Sequence, residues 1–177
     1  RTAPFVLLFA AVGFITAVMN GVPMRLGAVD NDGYNALAIS KSSEAAEAFW
    51  VQLSIVGQSA RGVRLKDMPE EWFRVPAEES MQNSIVAVRG VLACNRLMDE
   101  QKFNQADALM ARMLAAESGM AGIHRGLLVC DRIYIELIGV ARREAIEAML
   151  TKAQAKFMKS MRRYPSVLRT EYALALL

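Results

Sequence analysis

Histidine occurs once in this 177-residue chain, at His124, and cysteine only twice, at Cys94 and Cys130. No Cys-x-x-Cys spacing is present, which excludes a zinc knuckle and a thioredoxin-type redox motif. Both cysteines fall in helical patterns beside apolar residues, so two buried free thiols in a reducing compartment is a better reading than a disulfide. There is no zinc finger, no RNA-binding aromatic motif and no Gly-rich phosphate loop. The formal charge of +3 is mild and gives no ground for a nucleic-acid partner. Strand-like alternation is missing throughout, which predicts an all-α chain. Charge is missing altogether from Thr2 to Met24, between Arg1 and Arg25.

What is present suits a packed protein. Hydrophobic residues make up 54% and charged residues 22%, a balance that argues against disorder. The length accommodates one domain plus a membrane element. The centre of the uncharged stretch, Phe5 to Met19, is nearly continuous apolar sequence. A bilayer core needs roughly 20 such residues. The expectation is one N-terminal transmembrane or re-entrant helix; a signal peptide and a buried core helix are the competing readings. The chain opens at Arg1 rather than Met and closes at Leu177 inside the apolar run that starts at Tyr172. Natural ends usually fall in polar, frayed sequence, so the expectation is a fragment cut at both ends.

Three segments follow. Residues 1–40 hold the membrane segment and a loop punctuated by Gly21, Pro23, Gly27 and Asn31. Residues 41–80 hold a helix and a connector. Helix is expected to resume after Gly33 and reach about Gly57, with a break at Ser40 to Ser43. Ala45, Ala46, Phe49, Trp50 and Leu53 supply its apolar pattern. Asp67 to Phe73 reads as a short helix capped near Asp67, with Pro69 in its first turn; Trp72 and Phe73 read as packing anchors. Residues 81–177 read as soluble, repeat-like helical hairpins, truncated at the C-terminus. Their faces are marked by Ile85, Val88 and Leu92; by Ala106, Leu109, Met110, Met113 and Leu114; by Leu127, Leu128, Tyr134, Ile135 and Ile138; and by Ile146, Met149, Leu150, Ala153, Phe157 and Met161, the last set on one or two helices. Lys102 to Ala106 is similar to the turn between the two helices of a tetratricopeptide repeat, and Tyr164-Pro165 precedes another helix, although no 34-residue period is visible.

The informative stretch is the loop after the apolar segment. Asp30 and Asp32 lie within ten residues of it. A carboxylate at bilayer depth costs roughly 2.5–3.5 kcal/mol, so one held there is a functional candidate. Asn-Asp-Gly is also ordinary turn chemistry, and spacing alone does not decide between the two. The segment Phe14 to Pro23, containing Asn20-Gly-Val-Pro23, followed by Asn31-Asp32-Gly33, resembles the second signature of the site-2 protease family of intramembrane zinc metalloproteases. There an Asn-x-x-Pro loop ends a span and Asp-Gly opens the next helix. The resemblance implies that Asp32 is the third protein ligand of a catalytic zinc, and that Gly33 lets the backbone approach closely. It also implies that Asn20 and Pro23 shape the loop near substrate. Asp30 is not followed by Gly and matches less well. The commoner family form has a second Pro, a second Gly and a shorter loop; here Tyr34 stands at the second Gly, and longer loops occur in divergent branches.

The same resemblance implies a membrane protein acting on a protein or peptide substrate, with the other two zinc ligands on an upstream His-Glu-x-x-His helix. With one histidine, this chain holds no such motif and is expected to be inactive alone; no catalytic residue is assigned within it. His124 reads as a structural or surface residue and Asp131 as a buried, hydrogen-bonded acid. Lys152, Lys156, Lys159 and Arg163 recur on one helical face, a solvated face or a contact for anionic lipid. Their charge fits a cytoplasmic helical domain that docks lipid or a regulatory protein. The alternative function is a non-enzymatic, membrane-anchored helical-repeat adaptor.

Overall fold

With no charge and no interior proline, residues Ala3–Gly21 form one helix, α1. The computed structural model describes residues 3–25, 29–116 and 118–176; Arg1, Thr2, Gly27 and Leu177, used above to bound the apolar stretch, the loop and the C-terminal run, lie outside the described residues. No residue of α1 is buried, and Phe9 is 81% exposed. At 1.5 Å per residue the helix reaches about 28 Å, close to the thickness of a bilayer core. By length and composition it can cross a membrane.

The next helix, α2 (Asp32–Ser40), starts two residues earlier than expected, because the Asn31 side chain caps it by accepting from the Tyr34 amide at 2.9 Å. The break foreseen at Ser40 to Ser43 separates it from α3 (Ser43–Ala60), capped by Ser42. This helix passes through Gly57 to Ala60, further than expected. It ends where Gly62, at φ 84°, takes the left-handed conformation that glycine tolerates.

Two expectations for this region are corrected. No helix is capped at Asp67: two short 3-10 turns, Leu65–Asp67 and Glu70–Phe73, flank an extended Met68. Pro69 is the cause, since the residue before proline is pushed out of helical geometry. The buried side of α3 is Ala45, Ala48, Val51 and Ile55, whereas Ala46, Phe49, Trp50 and Leu53 are exposed. The helix is apolar on two sides, and of the expected set only Ala45 faces the core. Trp72 and Phe73 do anchor packing: Phe73 is buried beneath the Arg96 guanidinium, and Trp72 meets Trp50 edge-on with ring centres 5.9 Å apart.

The remaining helices are α4 (Ser84–Asp99), α5 (Phe103–Ala115), α6 (Gly122–Ile138), α7 (Arg143–Met149), α8 (Lys152–Ser160) and α9 (Pro165–Leu174). Among the described residues there is no strand, only an isolated bridge between Arg25 and Asp30. The chain is all-α. Helix α4 is central, packed against α2, α3, α5 and α6. Its buried residues run nearly round the helix, including Val86, Ala87, Val91 and Cys94, while Val88 and Leu92 of the expected face are only half-buried. Val51 and Ile55 of α3 share one core with Met110 and Met113 of α5 and Leu128 of α6, so the 41–80 segment is folded into the helical body.

A second cluster, Cys130, Met158 and Val167, joins α6 to α8 and α9. On α6 the buried set includes Leu128, Cys130 and Ile133, whereas Ile138 of the expected face is 44% exposed. The turn into α5 buries Ala106 completely, and α9 starts at Pro165 as the Tyr164-Pro165 pair indicates. The Ile146 to Met161 stretch is two helices. Thr151 starts the second by accepting from the Gln154 amide at 3.1 Å, and Ala153 of the expected face is exposed.

Candidate functional site

The loop between α1 and α2 is organised by Asn31, which is 7% exposed. Its Nδ2 donates to the Met19 and Val22 carbonyls, each at 2.6 Å, the open C-terminal end of α1. Its Oδ1 accepts from the Met24 and Tyr34 amides, each at 2.9 Å. The Asn31 amide donates to the Met24 carbonyl at 3.2 Å. The amide side chain thus uses both donor hydrogens and both acceptor positions, and it ties the last turn of α1 to the first turn of α2.

Gly33 sits against the same helix end. A Cβ there would collide with the Gly21 carbonyl oxygen and lie 2.8 Å from its carbon and 3.0 Å from the Asn20 oxygen. Only glycine permits this approach. Asn20 and Gly33 are therefore brought together, through backbone. Pro23 is exposed, between the Val22 carbonyl and the Met24 amide that Asn31 holds.

The two aspartates differ. Asp30 pairs with Arg25 at 3.3 Å and its side chain is 7% exposed. Arg25 also donates to the Gly119 carbonyl at 2.9 Å and lies 5.2 Å from the centre of the Tyr34 ring. That pair fastens the loop to the turn between α5 and α6. Asp32, at the first position of α2, is exposed, and its side chain makes no hydrogen bond or ion pair among the described residues. The helix N-terminus favours negative charge at that position. No group of three His, Cys, Asp or Glu forms among the described residues, so Asp32 is presented as a single free carboxylate.

No protein-family model, curated protein or solved structure matches this chain. Its functional reading therefore rests on the geometry of the loop and on what surrounds it.

His124, Asp131 and the row of basic residues singled out from the sequence lie in the α6–α9 part of the chain. His124 lies in the first turn of α6, half-buried, and burial lowers its pKa. Asp131 is 4% exposed, and burial raises its pKa against the opposing pull of Arg169, which donates to it at 2.8 Å. Its sequence neighbour Arg132 binds Asp107 instead, at 2.7 Å. A cavity of about 630 Å³ beside α4 and α5 includes Arg96, Glu100 and Lys102 in its lining, already paired with one another. Lys152, Lys156, Lys159 and Arg163 are all exposed and form no ion pair among the described residues.

Sequence reasoning missed Asn31 as the organiser and Arg25 as the fastener. Asn31 had a readable signal, since Asn ranks among the best N-cap residues. Arg25 had none, because its partner Gly119 lies 94 residues away.

Proposed function

We propose that this chain is the C-terminal part of a membrane-embedded zinc metalloendopeptidase of the site-2 protease kind, cutting peptide bonds in or near the bilayer. The observation that carries the reading is Asp32: an exposed, unpaired carboxylate between Asn31 and Gly33, two residues that sit against the end of a helix apolar enough to span a membrane. Asp30 is the weaker candidate for the ligand role, because it is not followed by Gly and pairs with Arg25 at 3.3 Å.

A free carboxylate fits a zinc ion as one ligand of about three. Near a bilayer the cation also offsets the cost of holding an unpaired charge. When bound, zinc activates a water as the nucleophile. Asp32 contributes charge and one ligand atom, Gly33 keeps the backbone close to α1, and Asn20 and Pro23 shape the rim that substrate passes. The two remaining ligands belong to a His-Glu-x-x-His helix outside this chain, which alone binds zinc weakly and is inactive. The α4–α9 body is the cytoplasmic docking domain for a substrate or a regulatory protein, and its exposed lysines suit that side of the membrane.

A second reading, a membrane-anchored adaptor without catalysis, is favoured by the outer face of α9 and the turn after it, where Leu168, Tyr172 and Leu176 are 51%, 69% and 71% exposed. The gene sequence ahead of Arg1 separates the two, because a His-Glu-x-x-His there decides for the protease. The functional test is cleavage of a membrane substrate by the whole gene product. Asp32→Ala and Asp32→Asn abolish cleavage, while Asp30→Ala is much milder. Equal loss at both positions means loop damage, and full activity of Asp32→Ala rejects the assignment.

A further inference from the structure

Helix α3 carries two apolar faces: one is buried in the core, and the other stays largely exposed, with Trp50 at its edge meeting the Trp72 ring. Ala46, Phe49, Trp50, Leu53, Val56 and Ala60 are all exposed, the four large ones at 36%, 58%, 56% and 65%. At about 100° per residue these six positions fall within an arc of roughly 120°, opposite the buried face. A helix apolar all round is normally covered on every side. The only acids on α3, Glu44 and Glu47, lie outside this arc, and Glu47 pairs with Arg89 at 3.1 Å. No charge occurs from Ala48 to Ala60. Exposed Lys41 and Arg61 stand at the two ends of the helix, neither in an ion pair among the described residues.

We propose that this outward face of α3 lies in the headgroup–acyl boundary of a bilayer, as an interfacial anchor. The inference rests on α1 being inserted in the membrane. Three observations select lipid as the occupant. The nine-residue α2 packs against both α1 and α3, which keeps α3 near the point where α1 leaves the membrane, and α2 itself exposes Leu37. Trp50 and Phe49 are ring side chains of the kind that settle at the membrane interface. Free basic residues at both ends of the apolar face complement anionic headgroups. The anchor lays α3 along the membrane surface and holds Asp32, eleven residues ahead of Ser43 on the same helical pair, at a fixed depth.

The test uses the full chain in anionic liposomes whose lipids carry bromine either high on the acyl chains or near their ends. Trp72→Phe leaves Trp50 as the single tryptophan. High bromine is expected to quench Trp50 at least about twofold more than deep bromine, as a burial of only a few ångströms into the boundary requires. Adding Leu53→Asp removes most of that quenching. A control carrying Trp50→Phe, Trp72→Phe and Phe9→Trp reports α1 independently, and deep bromine quenches it. An unquenched Trp50 beside a quenched control overturns the anchor and leaves the membrane reading of α1 standing. No quenching in either means that α1 is not inserted, and both ideas fail. Trp50 emission that shifts red on dilution in lipid, without quenching, assigns the face to a second copy of the chain and overturns the proposal.

Discussion

At the scale of the residue, the decisive side chain is an amide between two segments. Asn31 has its Nδ2 at 2.6 Å from two carbonyl oxygens and its Oδ1 facing two amides. Asn31→Asp keeps the shape but turns a carboxylate oxygen toward the Met19 and Val22 carbonyls. Each lost bond is worth about 1 kcal/mol, and each buried polar group left unpaired costs about 1–3 kcal/mol. Both Asn31→Asp and Asn31→Ala should therefore loosen the junction by several kcal/mol, with Asp the worse of the two. Amide hydrogen exchange at Met24 and Tyr34 reads this directly: protection should collapse in both variants, and unchanged protection would mean the clamp is not what holds the loop. The Asn-Asp-Gly sequence announced a turn, and that much of the site was legible, whereas the cap at Asn31 was missed. What it could not announce is that the Asn amide reaches backward to α1, because that depends on where the intervening loop places the helix end.

At the scale of the element, pairs of charges close the helix ends. Glu136 near the end of α6 accepts from the Arg142 amide and twice from its guanidinium, at 2.7–2.9 Å. The guanidinium hydrogen bond, then the backbone amide, hold its carboxyl down to about 2. A lowered carboxylate pKa contributes stability above the unfolded value, and that contribution fades as pH falls through the folded one. Glu136→Gln should therefore lower Tm slightly at neutral pH, and the gap from the parent should close between pH 4.5 and about 2; a gap that widens with acid contradicts this.

The thiols give a second element-scale prediction. Burial first, and the nearby Asp131 next, push Cys94 and Cys130 up to about 12. Neither should react with a thiol reagent in the folded chain, and both should react once it is unfolded. Rapid labelling of the native protein would contradict their burial. Helix existence was legible along most of the chain, as were the break before Ser43 and the start at Pro165. Face assignment was right only at Ala45 of α3 and Ile85 of α4, because both helices are apolar around most of their circumference, and periodicity orients a helix only when one side is polar.

At the scale of the whole molecule, an exposed apolar helix, a loop sewn shut by Asn31 and a helical body meet at one place. Arg25 carries the connection, through Asp30 on one side and Gly119 on the other. Arg25→Ala should leave the helical body folded, as read by circular dichroism, while raising proteolytic nicking of the loop; unchanged nicking would show that Asn31 holds the loop alone. The central claim is that Asp32 serves as a metal ligand, and zinc content measures it most directly. The whole gene product, purified without a metal-binding tag, should hold about one zinc per chain. Asp32→Ala should lose that zinc, Asp30→Ala should keep it, and residues 1–177 alone should bind none tightly. Full zinc in Asp32→Ala, or tight stoichiometric zinc on residues 1–177 by themselves, would contradict the account.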